Sequence, residues 1–236
     1  MKLDDQKLFK FLKENFSIEI DENYIAVPPQ TLSVGSDLII ECEPISLNTK
    51  PQRRSQRRLN SFECKKLRSI LYHSCRVQDS VVTETNYLKT LRPYPSAGGR
   101  HPLELLCLTE GMKDLENGLW YFDPYKITLC KLDAPVGFTE HIFSLSAKLL
   151  ENPAPPVVLL SVAILERTLS RYKNGLGLIW RDTGNMFSTI SGIAQQHELE
   201  SCQLGFSFEF QNANILGLKK EDVWITGGLA LGVAER

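Results

Sequence analysis

Apolar positions along the chain follow two rhythms, one near 3.6 residues and one near two. Leu8, Phe9, Phe11, Leu12 and Phe16 recur at near-helical spacing and predict a short amphipathic helix over residues 3–15. From 17 to 47 the pattern becomes strand-like, with Ser17-Ile18-Glu19-Ile20 and Asp37-Leu38-Ile39-Ile40-Glu41 separated by Val27-Pro28-Pro29 and Gly35. Leu67, Ile70 and Leu71 share one face of a helix predicted over 62–74. Residues 103–109 read as a buried strand, and 118–122 with 126–131 as a hairpin of edge strands joined by Asp123-Pro124-Tyr125. A helix over 139–150 and a fully buried strand over 157–165 are separated by Asn152-Pro153-Ala154-Pro155-Pro156. Met186, Phe187, Ile190, Ile193 and Ala194 mark the longest helix, 178–199, and 225–233 closes the chain as a glycine-containing strand. Helices and strands intermix with hairpins rather than in a βαβ rhythm, so the expected class is α+β. No internal repeat is visible, and the division is a helix-and-strand extension over 1–49 followed by one domain over 50–236.

Composition narrows the function more than the fold. With 42% apolar and 23% charged residues among 236, global disorder, collagen and coiled coil are excluded. Twenty-seven Lys plus Arg against twenty-eight Asp plus Glu leave a net charge of −1, so no whole-protein field draws the chain to nucleic acid or anionic membrane. Six cysteines without a CxxC pair and four histidines without HExxH or HxxxH spacing point to neither a metal site nor a disulfide framework. The start Met1-Lys2-Leu3-Asp4-Asp5 lacks the plan of a signal peptide, and the longest apolar run, 157–165, falls short of the ~18–20 residues that span a bilayer. The expectation is a soluble, cytoplasmic protein.

Three clusters carry candidate chemistry. Arg53-Arg54-Ser55-Gln56-Arg57-Arg58 concentrates guanidinium groups that would clamp a phosphate, or it is a solvated basic face. Pro95-Ser96-Ala97-Gly98-Gly99-Arg100-His101-Pro102 joins stiff prolines to glycines where backbone can approach a flat ligand closely, or it is a tight turn before a strand. It is neither GxGxxG nor Walker A. Arg171-Tyr172-Lys173 places a phenol between cations, which favours phenolate and would make Tyr172 a general base; the alternative is a surface loop with an aromatic anchor. Asp182-Thr183-Gly184 is ambiguous in the same way, and Gly184 and Gly192 are explained by close helix packing as well as by a ligand. His73, His141 and His197 sit alone in helical contexts, whereas His101 shares the glycine loop.

Together Arg54-Ser55-x-Arg57, Arg92-Pro93-Tyr94-Pro95-Ser96-Ala97-Gly98-Gly99-x-x-Pro102-Leu103-Glu104, Tyr172, Asp182-x-Gly184 and Leu229-Ala230-Leu231-Gly232 resemble the SagB-type dehydrogenases. These form the FMN-dependent branch of the nitroreductase superfamily that contains the azoline oxidases of thiazole/oxazole-modified peptide biosynthesis. The resemblance spans roughly residues 50–236 and implies an α+β flavoprotein with a mostly antiparallel central sheet flanked by helices, working as a homodimer with FMN at the subunit interface. It implies that Arg54, Ser55 and Arg57 hold the phosphate and pyrimidine edge, and that Pro95, Ser96, Ala97, Gly98, Gly99 and His101 form the flavin-lining loop. Leu204 and Gly205 would lie near flavin N5, and Arg236 would meet the phosphate. Arg171 stands where azoline oxidases carry a lysine, and Arg100-His101 brings charge where they carry apolar residues.

The resemblance implies an azoline oxidase acting on a ribosomally made peptide, with Tyr172 as proton acceptor, O2 as final oxidant and a cyclodehydratase as a further partner. An FMN oxidoreductase for another small molecule or peptide, and a flavin-free scaffold of a biosynthetic complex, are the alternatives.

Overall fold

The mostly apolar runs become neighbouring strands at the middle of one sheet in the computed structural model, which describes residues 54–84, 87–209, 213–218 and 223–235 and the backbone of 19–20 and 37–39. The strands are β1 (Glu19–Ile20), β2 (Asp37–Ile39), β3 (Leu59–Asn60), β4 (Asp79–Val82), β5 (Leu88–Leu91), β6 (Leu103–Thr109), β7 (Gly118–Asp123), β8 (Thr128–Leu132), β9 (Val157–Ile164), β10 (Tyr172–Lys173), β11 (Glu200–Leu204), β12 (Phe208–Glu209) and β13 (Val223–Ala234). The described helices are α1 (Cys64–Cys75), α2 (Phe138–Leu150), α3 (Glu166–Leu169) and α4 (Leu176–Gln196). The predicted helix over 3–15 lies outside the described residues.

The main sheet has nine strands in the order β11-β13-β9-β6-β7-β8-β2, with β3 and β12 added along the long β13, and every pairing is antiparallel. Burial on both faces explains why β6 and β9 are mostly apolar, with Glu104, Thr109 and Ser161 as their buried polar residues. Leu103, Leu105 and Cys107 share one core with Leu159 and with Leu67, Ile70, Met186, Phe187 and Ile190 from α1 and α4. Leu106, Leu108, Val158, Leu160 and Val162 point the other way, into a second core with Phe138, Ile142 and Phe143 from α2. Both faces of the sheet are therefore covered.

The edge-strand expectation for 118–122 and 126–131 is corrected by this arrangement. β7 lies inside the sheet between β6 and β8, and β8 is itself paired with β2. Trp120 and Phe122 enter one core and Leu119 and Tyr121 the other, so aromatic alternation rather than polarity marked the strand. The longest helix is α4, somewhat N-terminal to the predicted 178–199, and the residues after it form β11, which the helical reading had partly absorbed. Among the described residues no helix is long and apolar enough to cross a membrane.

Two elements outside the main sheet shape the site. The ribbon β4–β5 pairs Asp79 with Leu91 through Val82 with Leu88, and β1 pairs with β10 so that Ile20 lies opposite Tyr172.

Candidate functional site

The glycine loop is held from below by α4. Asp182, buried in that helix, accepts the Ser96 hydroxyl through Oδ2 and the Ala97 amide through Oδ1 at 3.2 Å. Ser96 Oγ in turn accepts the His101 amide at 2.9 Å, and Asn185 Nδ2 donates to the Pro95 carbonyl at 3.2 Å. Burial raises the Asp182 carboxyl pKa, while the Ser96 and Ala97 hydrogen bonds pull it back down. Asp182 is therefore the loop's anchor.

The twin glycines have a specific use. Gly98 and Gly99 adopt φ of +59° and +65°, in the left-handed region. A Cβ on Gly98 would lie 2.4 Å from Tyr172 Oη, and one on Gly99 would lie 2.6 Å from Lys89 Cε. The side that sequence reasoning reserved for a flat ligand is occupied by a phenol and a lysine stem. Tyr172, Arg171, Lys89, Tyr87, Arg100 and Gly98, with Val82, Thr83 and Glu84 from the ribbon, line a cavity of about 520 Å³, within the usual range for small-molecule sites. Arg100 stacks on the Tyr87 ring, 3.8 Å from its centroid, while Tyr87 Oη donates to the Arg100 carbonyl. Tyr172 has its backbone pinned by β1 and its hydroxyl seated on Gly98.

A buried polar layer supports the loop from behind. Glu104 of β6 pairs with Arg167 of α3, both side chains being 3% exposed, and Tyr121 Oη donates to the same carboxylate at 3.0 Å. Arg167 also donates to the His101 carbonyl at 3.2 Å, and Arg92 donates to Tyr94 Oη and the Leu103 carbonyl. The Pro-Leu-Glu signature thus belongs to the scaffold, since removing one partner of such a pair strands a buried charge.

His101 is 4% exposed, packs edge-on against Tyr94 and lies outside the cavity lining. Burial, then the Arg92 and Arg167 charges, push its pKa down to about 3 against a weaker opposing backbone bond to Thr90. The folded state therefore refuses a proton that the unfolded chain accepts near pH 6.5, so stability is lost as pH falls from there toward 3. Between pH 7 and 5 this amounts to about 2 kcal/mol. Urea unfolding at both pH values should show that loss in the wild type and not in His101→Asn; equal losses would remove His101 as the cause.

Other sequence candidates lie elsewhere. Arg54, Ser55 and Arg57 are exposed on the approach to β3, where Gln56 N–H donates to the Ser201 carbonyl and Arg57 lies 3.5 Å from Glu151. Ser201 bonds Ser191 of α4, so this loop sits about 13 Å further along the helix than Asp182. Arg54, Ser55 and Arg57 are not among the described residues that line the cavity. Leu204 is buried at the end of β11 and Gly205 is exposed beyond it. Arg236 lies outside the described residues. Lys89, Tyr87 and Glu84 were missed because no local motif marks them; only the ribbon brings them to the loop.

No protein-family model and no curated protein matches the sequence. Solved structures do match. A protein from Anabaena variabilis assigned as a nitroreductase superposes with a TM-score of 0.65 at 19% identity, covering 90% of this chain and 42% of its own. This chain therefore spans less than half of that relative. A chain of the E. coli microcin synthetase McbBCD complex with truncated pro-MccB17 bound gives 0.60 at 19% identity, covering 100% and 84%. A Staphylococcus epidermidis protein assigned as an NAD(P)H:FMN oxidoreductase gives 0.50 at 10% identity, covering 78% and 84%. At such identities the likeness is one of architecture, and it agrees with the antiparallel sheet and its two helical layers: the chain has the nitroreductase-like fold.

Proposed function

We propose that this protein is an FMN-dependent oxidoreductase that oxidises azoline rings of a ribosomally made peptide to azoles, working as a homodimer. The observation that carries the reading is the seating of the Tyr172 phenol on Gly98, in a cavity whose loop is anchored to Asp182, within a nitroreductase-like fold. The Arg-Pro-Tyr-Pro-Ser-Ala-Gly-Gly motif and the likeness to a microcin synthetase chain support the azoline class.

The donor set fits FMN. Arg54 and Arg57 are exposed guanidinium groups suited to a dianionic phosphate, with the Ser55 hydroxyl between them. Leu204 and Gly205 stand at the end of β11, where backbone amides would serve a flavin edge. What bound FMN supplies is a hydride acceptor. Tyr172 Oη takes the proton that leaves the ring, while Asp182 keeps the loop and hence the phenol in place. Val82, Tyr87 and Lys89 line the cavity on the ribbon side.

A second copy would bring the arginine loop of one chain toward the cavity of the other. Trp180, Gly184, Ser188 and Gly192 lie exposed at four-residue spacing on one stripe of α4, with open space beside both glycines, which suits close packing against another subunit. Arg171 in the lysine's place favours a second reading, an FMN oxidoreductase for another small molecule.

Purified protein should be yellow or become so with FMN, elute as a dimer, and convert an azoline peptide to its azole with loss of two mass units. Failure to take up FMN would sink the whole reading. Flavin binding and nitroarene reduction without azoline turnover would select the second one.

A further inference from the structure

Lys89 is placed by the same device as Tyr172 yet has no part in the reaction described so far. The loop has two consecutive positive-φ glycines, and each is filled by one side chain from a different element, Tyr172 at Gly98 and Lys89 at Gly99. Three stem carbons of Lys89 lie on Gly99: a Cβ there would be 2.6 Å from Cε, 2.8 Å from Cγ and 3.2 Å from Cδ. A stem held flat over backbone has lost much of its rotamer freedom before any ligand arrives, and Lys89 is among the residues that line the cavity. The register Val81 opposite Lys89 and the Thr83 N–H to Tyr87 carbonyl bond of 2.8 Å fix the ribbon that delivers it.

The rest of the lining matches an acid with a flat body. Among the described residues of the lining, Lys89, Arg100 and Arg171 stand against the carboxylate Glu84, while Tyr87, Tyr172 and Val82 supply rings and apolar surface. Arg100 is turned against the Tyr87 ring, which leaves Lys89 as the cation whose position the loop itself sets.

We infer that Lys89 is a substrate anchor: it holds a carboxylate that the substrate carries beside its reacting group, so that this group lies against Tyr172. The inference rests on the proposed function only for which reaction follows; the binding itself needs no flavin. Calorimetric titration of the protein, with and without added FMN, compares 4-nitrobenzoate with its neutral isostere 4-nitrobenzamide. The wild type should bind the acid roughly tenfold more tightly, as for one exposed charge-assisted contact, and the preference should shrink in 0.5 M salt. Lys89→Met keeps the stem over Gly99 and should lower the preference to about one; Lys89→Arg should retain most of it.

Equal affinities in the wild type, no detectable binding of either compound, or an unchanged preference in Lys89→Met would each overturn the anchor. Loss of bound FMN from Lys89→Met with the preference intact would also overturn it, by assigning Lys89 to the cofactor. A wild type that shows the preference but takes up no FMN would defeat the proposed function and leave the anchor standing.

Discussion

Tyr172→Phe is expected to retain FMN near the wild-type level and to lose turnover of an azoline peptide by about 10²–10⁴-fold, the range for removing a general base. The ring stays, so packing beside the cavity is kept, and only the proton acceptor goes. The structure adds a second route to the same loss. Gly98→Ala puts a methyl 2.4 Å from Tyr172 Oη, at a backbone φ of +59° that alanine tolerates poorly, so the phenol must leave its seat. In the Tyr172→Phe background the nearest ring atom to that methyl is Cζ, at 3.4 Å, and the added damage should be small. Steady-state rates for the two single variants and the double, with bound FMN quantified in each, make the comparison. Wild-type turnover by Tyr172→Phe would mean that the proton goes elsewhere. His101 would be a poor substitute, since it is buried and its pKa is held near 3.

The double variant Arg54→Ala/Arg57→Ala should release the flavin. Each guanidinium contributes roughly 1.5–3 kcal/mol to a phosphate dianion through charge-assisted bonds, so together they weaken FMN binding by about 10²–10⁴-fold. The structure indicates that the fold itself will not suffer. Both arginines are exposed, and the ion pair seen among the described residues, Arg57 with Glu151, joins side chains 54% and 80% exposed, a class that contributes little to stability. Fluorescence-quenching titration of FMN, alongside thermal unfolding of the apo-protein, separates the two effects. An unchanged FMN affinity would move the phosphate site away from this loop.

Much of the architecture was legible because burial writes itself into the sequence as a period. β6 and β9 read correctly as buried strands since both faces are covered, and α4 read as the longest helix because Met186, Phe187 and Ile190 line its core side. The hairpin over 118–132 was recognised but misplaced at the edge, because a strand's neighbours depend on which segments return to it and not on its own residues. β2 supplies the neighbour on the far side of β8 from more than eighty residues upstream. The ribbon β4–β5 went unread for the opposite reason: all four β4 residues are exposed, so no apolar rhythm marks it.

The site divides along the same line. Residue types and local spacing alone determined the glycine loop, the arginine run, Tyr172 and the Asp182-x-Gly184 motif, since each is a short segment whose composition is unusual by itself. Only the tertiary structure decided that the glycines admit a phenol and a lysine stem, that Asp182 ties down Ser96 and Ala97, and that Glu104 serves Arg167 and Tyr121. It also decided that His101 is buried and that the arginine loop sits apart from the cavity along α4. Hydrogen bonds and close contacts between residues far apart in the chain exist only once the sheet has set the spacing of its elements, so no local pattern carries them.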